Sequence, residues 1–388
     1  MTDKRIKKEI EVPVSVTIIK DMLKEEGFKT FLVGGAVRDS LTGDKIKDFD
    51  LATDATPDRI KECLSKYKHF NILEIGEQFG IINVVSFDGE FEIATFREEE
   101  GYSDGRRPDE VKFSTIDKDV LRRDLTMNAL FYDLETREIV DLVGGVQDLE
   151  DKIVATVGNA EDRFEEDRLR VLRAIRFACR FDAELDIDVD ESISKNNSLY
   201  LVSKERIKDE FIKCLKTTKF VSKLNDLLEE FDLVDQIFPS LYFEELPVTA
   251  SRDLVVSLAF SLLDNDVKKL AKSLNKLTYK TKDINKICFL IKSVTLDERN
   301  SLSLKKEMAK SKVSLFEFCE FHTLLKSNNH VEHIVDIDLL NAFLKFEPSV
   351  TGESLLSEGF RPGPEVGKEI VRREFDIFCE MVEKEKGA

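Results

Sequence analysis

The chain has 388 residues, 42% hydrophobic and 35% charged, with a formal net charge of −18 at pH 7. That length exceeds one typical core, so two or more domains are expected, and no apolar run approaches the length of a membrane-spanning helix. Six cysteines without Cys-x-x-Cys spacing and only four histidines argue against a zinc site or a disulfide framework; His330 and His333 stand three apart without companion ligands.

The opening Met1-Thr2-Asp3-Lys4-Arg5 lacks the apolar core of a signal peptide, so the cytoplasm is the expected compartment. A uniformly acidic surface would repel nucleic acid, but the charge is unevenly placed. Arginine is concentrated between Arg97 and Arg180, and a lysine-rich stretch runs from Lys268 to Lys292, mostly as a solvated helical face.

Leu32-Val33-Gly34-Gly35-Ala36-Val37-Arg38-Asp39 reads as an apolar strand end turning sharply at two residues without a Cβ, where backbone can approach a phosphate and Arg38 can supply charge. Lys47-Asp48-Phe49-Asp50-Leu51 reads as a short strand. Its residues i and i+2 share a face, so the two carboxylates converge while Phe49 packs behind. Convergent hard oxygen ligands suit Mg²⁺, which is commonly held by a few carboxylates and completed by substrate phosphates and water.

An alternating strand from Phe91 to Phe96 carries Glu92, one candidate for a third carboxylate. It leads into the polar, glycine-containing loop Phe96 to Pro108. Arg122-Arg123-Asp124 opens an expected helix through Ala129 and Leu130, and the last expected strand lies around Ile139 to Val143. From Gly144-Gly145 onward the chain reads as predominantly helical.

Within Glu166 to Phe177, Asp167, Arg170, Arg173 and Arg176 recur every three residues and form one slowly winding ridge, with Leu169, Leu172 and Ile175 on another. Positive charges repeated along one ridge repel each other, which points to an anionic partner. Near the C-terminus, Thr351 to Leu355 and Gly359 to Gly367 read as a capped helix, a tight loop and a second helix start.

Taken in order, Gly34-Gly35-Ala36-Val37-Arg38-Asp39, Asp48-Phe49-Asp50, Arg122 to Ala129 and Glu166 to Phe177 resemble the class II tRNA nucleotidyltransferases, the CCA-adding enzymes, in the superfamily that also holds bacterial poly(A) polymerases. The similarity is dense over about residues 30 to 180, with Leu125 standing where phenylalanine is commoner in the family. It implies an α+β protein: a polymerase-β-like head with a mixed sheet and helices, then an all-α neck, body and tail. The corresponding division is head 1–150, neck 151–215, body 216–320 and tail 321–388. Asp48 and Asp50 match the catalytic magnesium ligands; Gly35, Arg38, Arg123, Asp167, Arg170, Arg173 and Arg176 match nucleotide-binding positions.

The implied substrates are CTP, ATP and the tRNA 3′ end. Asp167 and Arg170 pair an acceptor with a planar donor fork. Cytosine and adenine both show an exocyclic amino group beside a ring-nitrogen acceptor, whereas uracil and guanine show a carbonyl in its place. Such a site can discriminate by roughly 10⁴-fold. Members restricted to CC addition lack most of the loop found here at 96–108, which favours full CCA or terminal A addition. A poly(A) polymerase, an A-only or CC-only specialist and a catalytically silent RNA-binding module stay open as alternatives.

Overall fold

The computed structural model describes residues 4–73, 76–248, 253–297, 299–328 and 335–387. His330 and His333 lie outside the described residues. The chain parts into two compact units, one comprising residues 1–210 and 217–219, the other residues 211–216 and 220–388.

The first unit opens with the strands β1 (Lys4–Lys7), β2 (Thr30–Val33), β3 (Leu51–Thr53), β4 (Asn71–Leu73), β5 (Ile81–Ser86) and β6 (Gly89–Thr95). β7 (Arg97–Glu100), β8 (Glu110–Phe113), β9 (Phe131–Asp133) and β10 (Glu138–Asp141) follow. Among the described residues, eight of these form one sheet in the order β1-β10-β9-β2-β3-β6-β5-β4. Every pairing is antiparallel except β3 with β6, which makes the sheet mixed.

Period-two alternation gives the sheet two apolar faces. Leu32, Leu51, Ile93 and Tyr132 point to one, where they pack with residues of α1 (Val14–Glu25) and α3 (Pro57–Ser65). Phe31, Val33, Ala52, Phe131 and Val140 point to the other, joined by Phe96 and Val120. Phe31, Phe96 and Phe131 meet there with ring centroids 5.9 to 6.2 Å apart, within the favourable range for aromatic pairs.

Four expectations change. The expected strand at Lys47–Leu51 begins only at Leu51; Asp48 and Asp50 lie in the segment that leads into β3. The polar stretch after Phe96 is a two-stranded hairpin of β7 and β8, with only residues 101–109 as its loop. The helix expected from Arg122 to Leu130 is two short 3₁₀ turns, Val120–Arg122 and Thr126–Asn128. Finally, two-residue strands at Ile153–Val154 and Glu184–Leu185 pair in parallel within the part expected to be all helix.

The turn after β10 rests on Asp141, a fully buried residue whose carboxylate accepts the backbone N–H groups of Val143, Gly144, Gly145 and Val146 at 2.8 to 3.1 Å. These include orphan donors at the start of the helix Gly145–Asp151, which the side chain satisfies. Gly145 is required there, because a Cβ would stand 2.2 Å from the Thr126 carbonyl oxygen.

The second unit is helical among its described residues. It ends in the helix Gly352–Ser357, capped by the Thr351 side chain, and the helix Pro364–Lys386, entered by proline at its first turn. The capped helix, loop and helix start expected there are all present.

Candidate active site

β2 ends at Val33 and the chain turns at Gly34, with φ of +63°, into α2 (Gly35–Thr42). The turn lies against the Arg123 guanidinium, whose Nη1 would be 3.9 Å from a Cβ placed on Gly34. Arg123 is held there by Asp119, which accepts from its Nε at 3.1 Å and its Nη2 at 3.0 Å, and by the Phe131 ring beneath it, 4.6 Å to the centroid. Burial pushes the Asp119 carboxyl up, but Arg123 and Arg122 outweigh it and leave its pKa lowered. A cation is thereby fixed beside a backbone bend, which suits an oxyanion.

The β2–β3 register brings the acidic pair to the same place. Leu32 pairs with Leu51, and one step further the Val33 N–H donates to the Asp50 carbonyl at 2.9 Å. The parallel register of Leu51 with Ile93 sets Glu92 beside Asp50. Phe49 packs into the core behind, as its alternation with the two aspartates predicts.

Asp50 is open to solvent yet surrounded by enough protein for desolvation to raise its pKa. Burial, then Glu92 and Asp48, push that carboxyl up to about 6 against the opposing pull of Arg123. Among the described residues, Asp48, Asp50 and Glu92 have no ion-pair or side-chain hydrogen-bond partner. No three His, Cys, Asp or Glu side chains among the described residues gather closely enough to cage an ion alone. Hard oxygen donors that repel each other and fall short of a cage fit a hydrated divalent ion completed by substrate phosphates, the usual habit of Mg²⁺.

Arg38, expected to face a phosphate, is only 6% exposed. Its Nε and Nη2 donate to Asp39 at 2.8 and 2.7 Å, its Nη1 donates to Asn128, and its guanidinium lies over the rings of Phe177 and Phe181. Gly35 adjoins it: a Cβ on that residue would stand 3.6 Å from Arg38 Nη2. Arg38 thus braces α2 against the arginine-bearing helix, while Arg123 is the arginine at the turn itself.

That helix spans Leu169–Phe181, so Asp167 precedes it in extended conformation instead of standing on its ridge. Each ladder arginine has a carboxylate partner. Arg170 pairs with Glu166 at 2.5 Å, Arg173 with Asp124 at 2.5 Å and Arg176 with Glu210 at 2.5 Å, while Arg180 reaches Asp39 and Asp44. The repulsion expected along the ridge is therefore largely answered within the protein. Burial pushes the Asp124 carboxyl up, but Arg173 and the Leu125 N–H hold it far below the usual carboxylate range.

The hairpin is joined to the same network. Glu99 on β7 accepts from Tyr102, Arg97 and Arg122, and Arg122 also donates to Asp119. Asn128 and Glu166 lie within the motif segments 122–129 and 166–177, whereas Asp119, Arg206 and Glu210 lie outside them. The i,i+4 spacing of Arg206 and Glu210 is the signal in the residues that could have found that pair, since it puts both charges on one helix face.

A mixed sheet bearing a glycine turn beside paired acids, followed by a helix of braced arginines, defines a nucleotidyltransferase of the polymerase-head type. Residues 30–155 match the family described as Poly A polymerase head domain, and residues 184–244 match the one described as probable RNA and SrmB-binding site of polymerase A. The CCA-adding enzyme of Lactobacillus helveticus is 31% identical over 372 residues, 92% of this chain and 90% of the relative. That of Bacillus pumilus is 44% identical over 196 residues, 50% of this chain and 48% of the relative. The crystal structure of the Bacillus stearothermophilus CCA-adding enzyme in complex with CTP superposes with a TM-score of 0.70 at 24% identity, covering 96% of this chain and 97% of that one. The Thermotoga maritima CCA-adding enzyme complexed with tRNA gives 0.68 at 19% identity, covering 97% and 96%. The chain belongs to the CCA-adding enzymes, which are tRNA nucleotidyltransferases. Enzymes of this family generally use divalent metals.

Proposed function

We propose that this chain is a cytoplasmic enzyme that adds CMP and AMP from CTP and ATP to the 3′ end of tRNA without a nucleic-acid template. The observation that carries the reading is the register that sets Asp50 beside Glu92, with Asp48 two residues away and Arg123 at the facing glycine turn. It is supported by the relatives' shared activity and by the order of the motifs. Head (1–150), neck (151–215), body (216–320) and tail (321–388) are the proposed division of labour, with catalysis in the head, base selection in the neck and tRNA held by the tail.

Asp48 and Asp50 are the proposed catalytic pair and would hold Mg²⁺. When bound, the ion supplies charge neutralisation at the phosphates and lowers the barrier to attack by a hydroxyl. The tRNA 3′-hydroxyl oxygen forms a bond to the α-phosphorus in line with the departing bond as its proton passes to solvent, the bond to the β-phosphate bridging oxygen breaks, and pyrophosphate leaves with that electron pair. Gly34 and Gly35 let the backbone approach the triphosphate, Arg123 faces its charge, and Arg38 keeps the turn in place from behind. Asp167 with Arg170 reads the amino edge shared by cytosine and adenine, and Arg173 and Arg176 keep that helix aligned through Asp124 and Glu210.

The test is incorporation of each labelled nucleotide in turn into tRNA lacking its last three residues. Ordered addition of two C and one A is expected. Continuous A addition without CTP use would reassign the chain as a poly(A) polymerase, and no incorporation of any nucleotide would leave an RNA-binding module.

A further inference from the structure

The helix Lys204–Thr217 reaches the base-selecting segment from outside it. Arg206 Nη2 donates to Asp167 Oδ2 at 2.6 Å and Nη1 to Oδ1 at 3.2 Å, a two-point grip on one carboxylate. One turn further, Glu210 takes Arg176. Oδ1 of Asp167 also accepts the Leu169 N–H at 3.1 Å.

A carboxylate offers about four acceptor positions. Three are occupied here, leaving about one, on Oδ2. Asp167 precedes the helix with φ of −155° and ψ of 105°, so helical neighbours do not confine its side chain. Its orientation is set by its partners, and a guanidinium fork fixes the carboxylate plane in a way a single ammonium does not.

We infer that Arg206 is the positioning residue of base selection. It holds Asp167 so that one acceptor remains for one exocyclic amino hydrogen, and a nucleotide offering a carbonyl there meets an acceptor it cannot pair with. Arg206 touches no reacting atom; it acts through Asp167, and the inference rests on Asp167 being the base reader.

The experiment compares the full-length parent with Arg206→Gln and Arg206→Lys, measuring kcat and KM for CTP, ATP, UTP and GTP on tRNA substrates. In both variants the ratio of kcat/KM for CTP over UTP should fall roughly 10- to 100-fold, as expected when a positioned group drifts by about an ångström. An equal fall for all four nucleotides with that ratio intact would make Arg206 merely structural and overturn the inference. So would parent selectivity in Arg206→Lys, since lysine retains the charge and lacks the fork. If Arg206→Gln does not fold, the lysine variant decides on the same ratio. Asp167→Ala, run in parallel, separates the two readings. Parent-like selectivity in Asp167→Ala removes the base-reading role itself, whereas a permissive Asp167→Ala beside a discriminating Arg206→Lys removes only the part given to Arg206.

Discussion

The acidic cluster where the chain enters β3 and the arginine helix Leu169–Phe181 carry opposite charges and treat them in opposite ways. Asp48, Asp50 and Glu92 stand near one another without ion-pair partners among the described residues, and burial, then Glu92 and Asp48, destabilise the charged form of Asp50. The ladder arginines are each answered by a carboxylate. Charge that a fold leaves uncompensated marks a place where a ligand completes the electrostatics. Charge that it compensates holds side chains in position before a ligand arrives.

The severest way to break this contrast is to remove an acid. Asp50→Ala should lower incorporation by about 10³-fold or more, since several kcal/mol of transition-state stabilisation are at stake and about 1.4 kcal/mol is tenfold in rate. Full incorporation by the variant would end the metal assignment. Next, Asp167→Ala should retain catalysis while its rejection of UTP and GTP weakens by roughly 10²-fold or more, measured as ratios of kcat/KM. If rejection is unchanged, Asp167 does not read the base.

A third change tests the compensated side directly. Asp124→Ala leaves Arg173 without its partner and should cost about 3 kcal/mol in urea unfolding, the scale of removing one member of a largely buried pair. A loss within experimental error would mean that the ladder is held by packing alone.

The mildest test concerns proton binding at the acidic cluster. Asp50 has its carboxyl raised from 3.8 to about 6 in the native chain, so between those values the folded form binds more protons than the unfolded one. Stability from this group therefore declines as pH rises through that window. Without divalent ions, the melting temperature of the parent relative to that of Asp50→Asn should fall from pH 4 to pH 6. Added Mg²⁺ at pH 7 should raise the parent's melting temperature more than the variant's. Equal slopes and equal shifts would show that the repulsion is screened away.

Short-range features were legible in the residues. The glycine turn, the Asp-x-Asp spacing with Phe49 packed behind, and the Thr351-capped helix each follow from backbone sterics or alternation over a few positions. Segment type was less legible where local propensity met tertiary demand. Arg122 to Leu130 has a helical pattern, yet its backbone is spent elsewhere: Thr126 N–H donates to the Ala155 carbonyl and Val157 N–H to the Asp124 carbonyl. The polar run after Phe96 became a hairpin because β7 and β8 pair through four register positions that composition does not reveal.

By itself, then, the amino-acid order determined which chemistries were available, because carboxylates one residue apart, paired glycines and three-residue arginine spacing act over single turns or strands. Which charges were answered was decided only by the tertiary structure. Asp124 and Arg173 are 49 positions apart, Arg38 and Asn128 are 90 apart, and Asp167 meets Arg206 across 39. Coulomb energy depends on distance through space and on the solvent removed between the groups, and separation along a chain specifies neither.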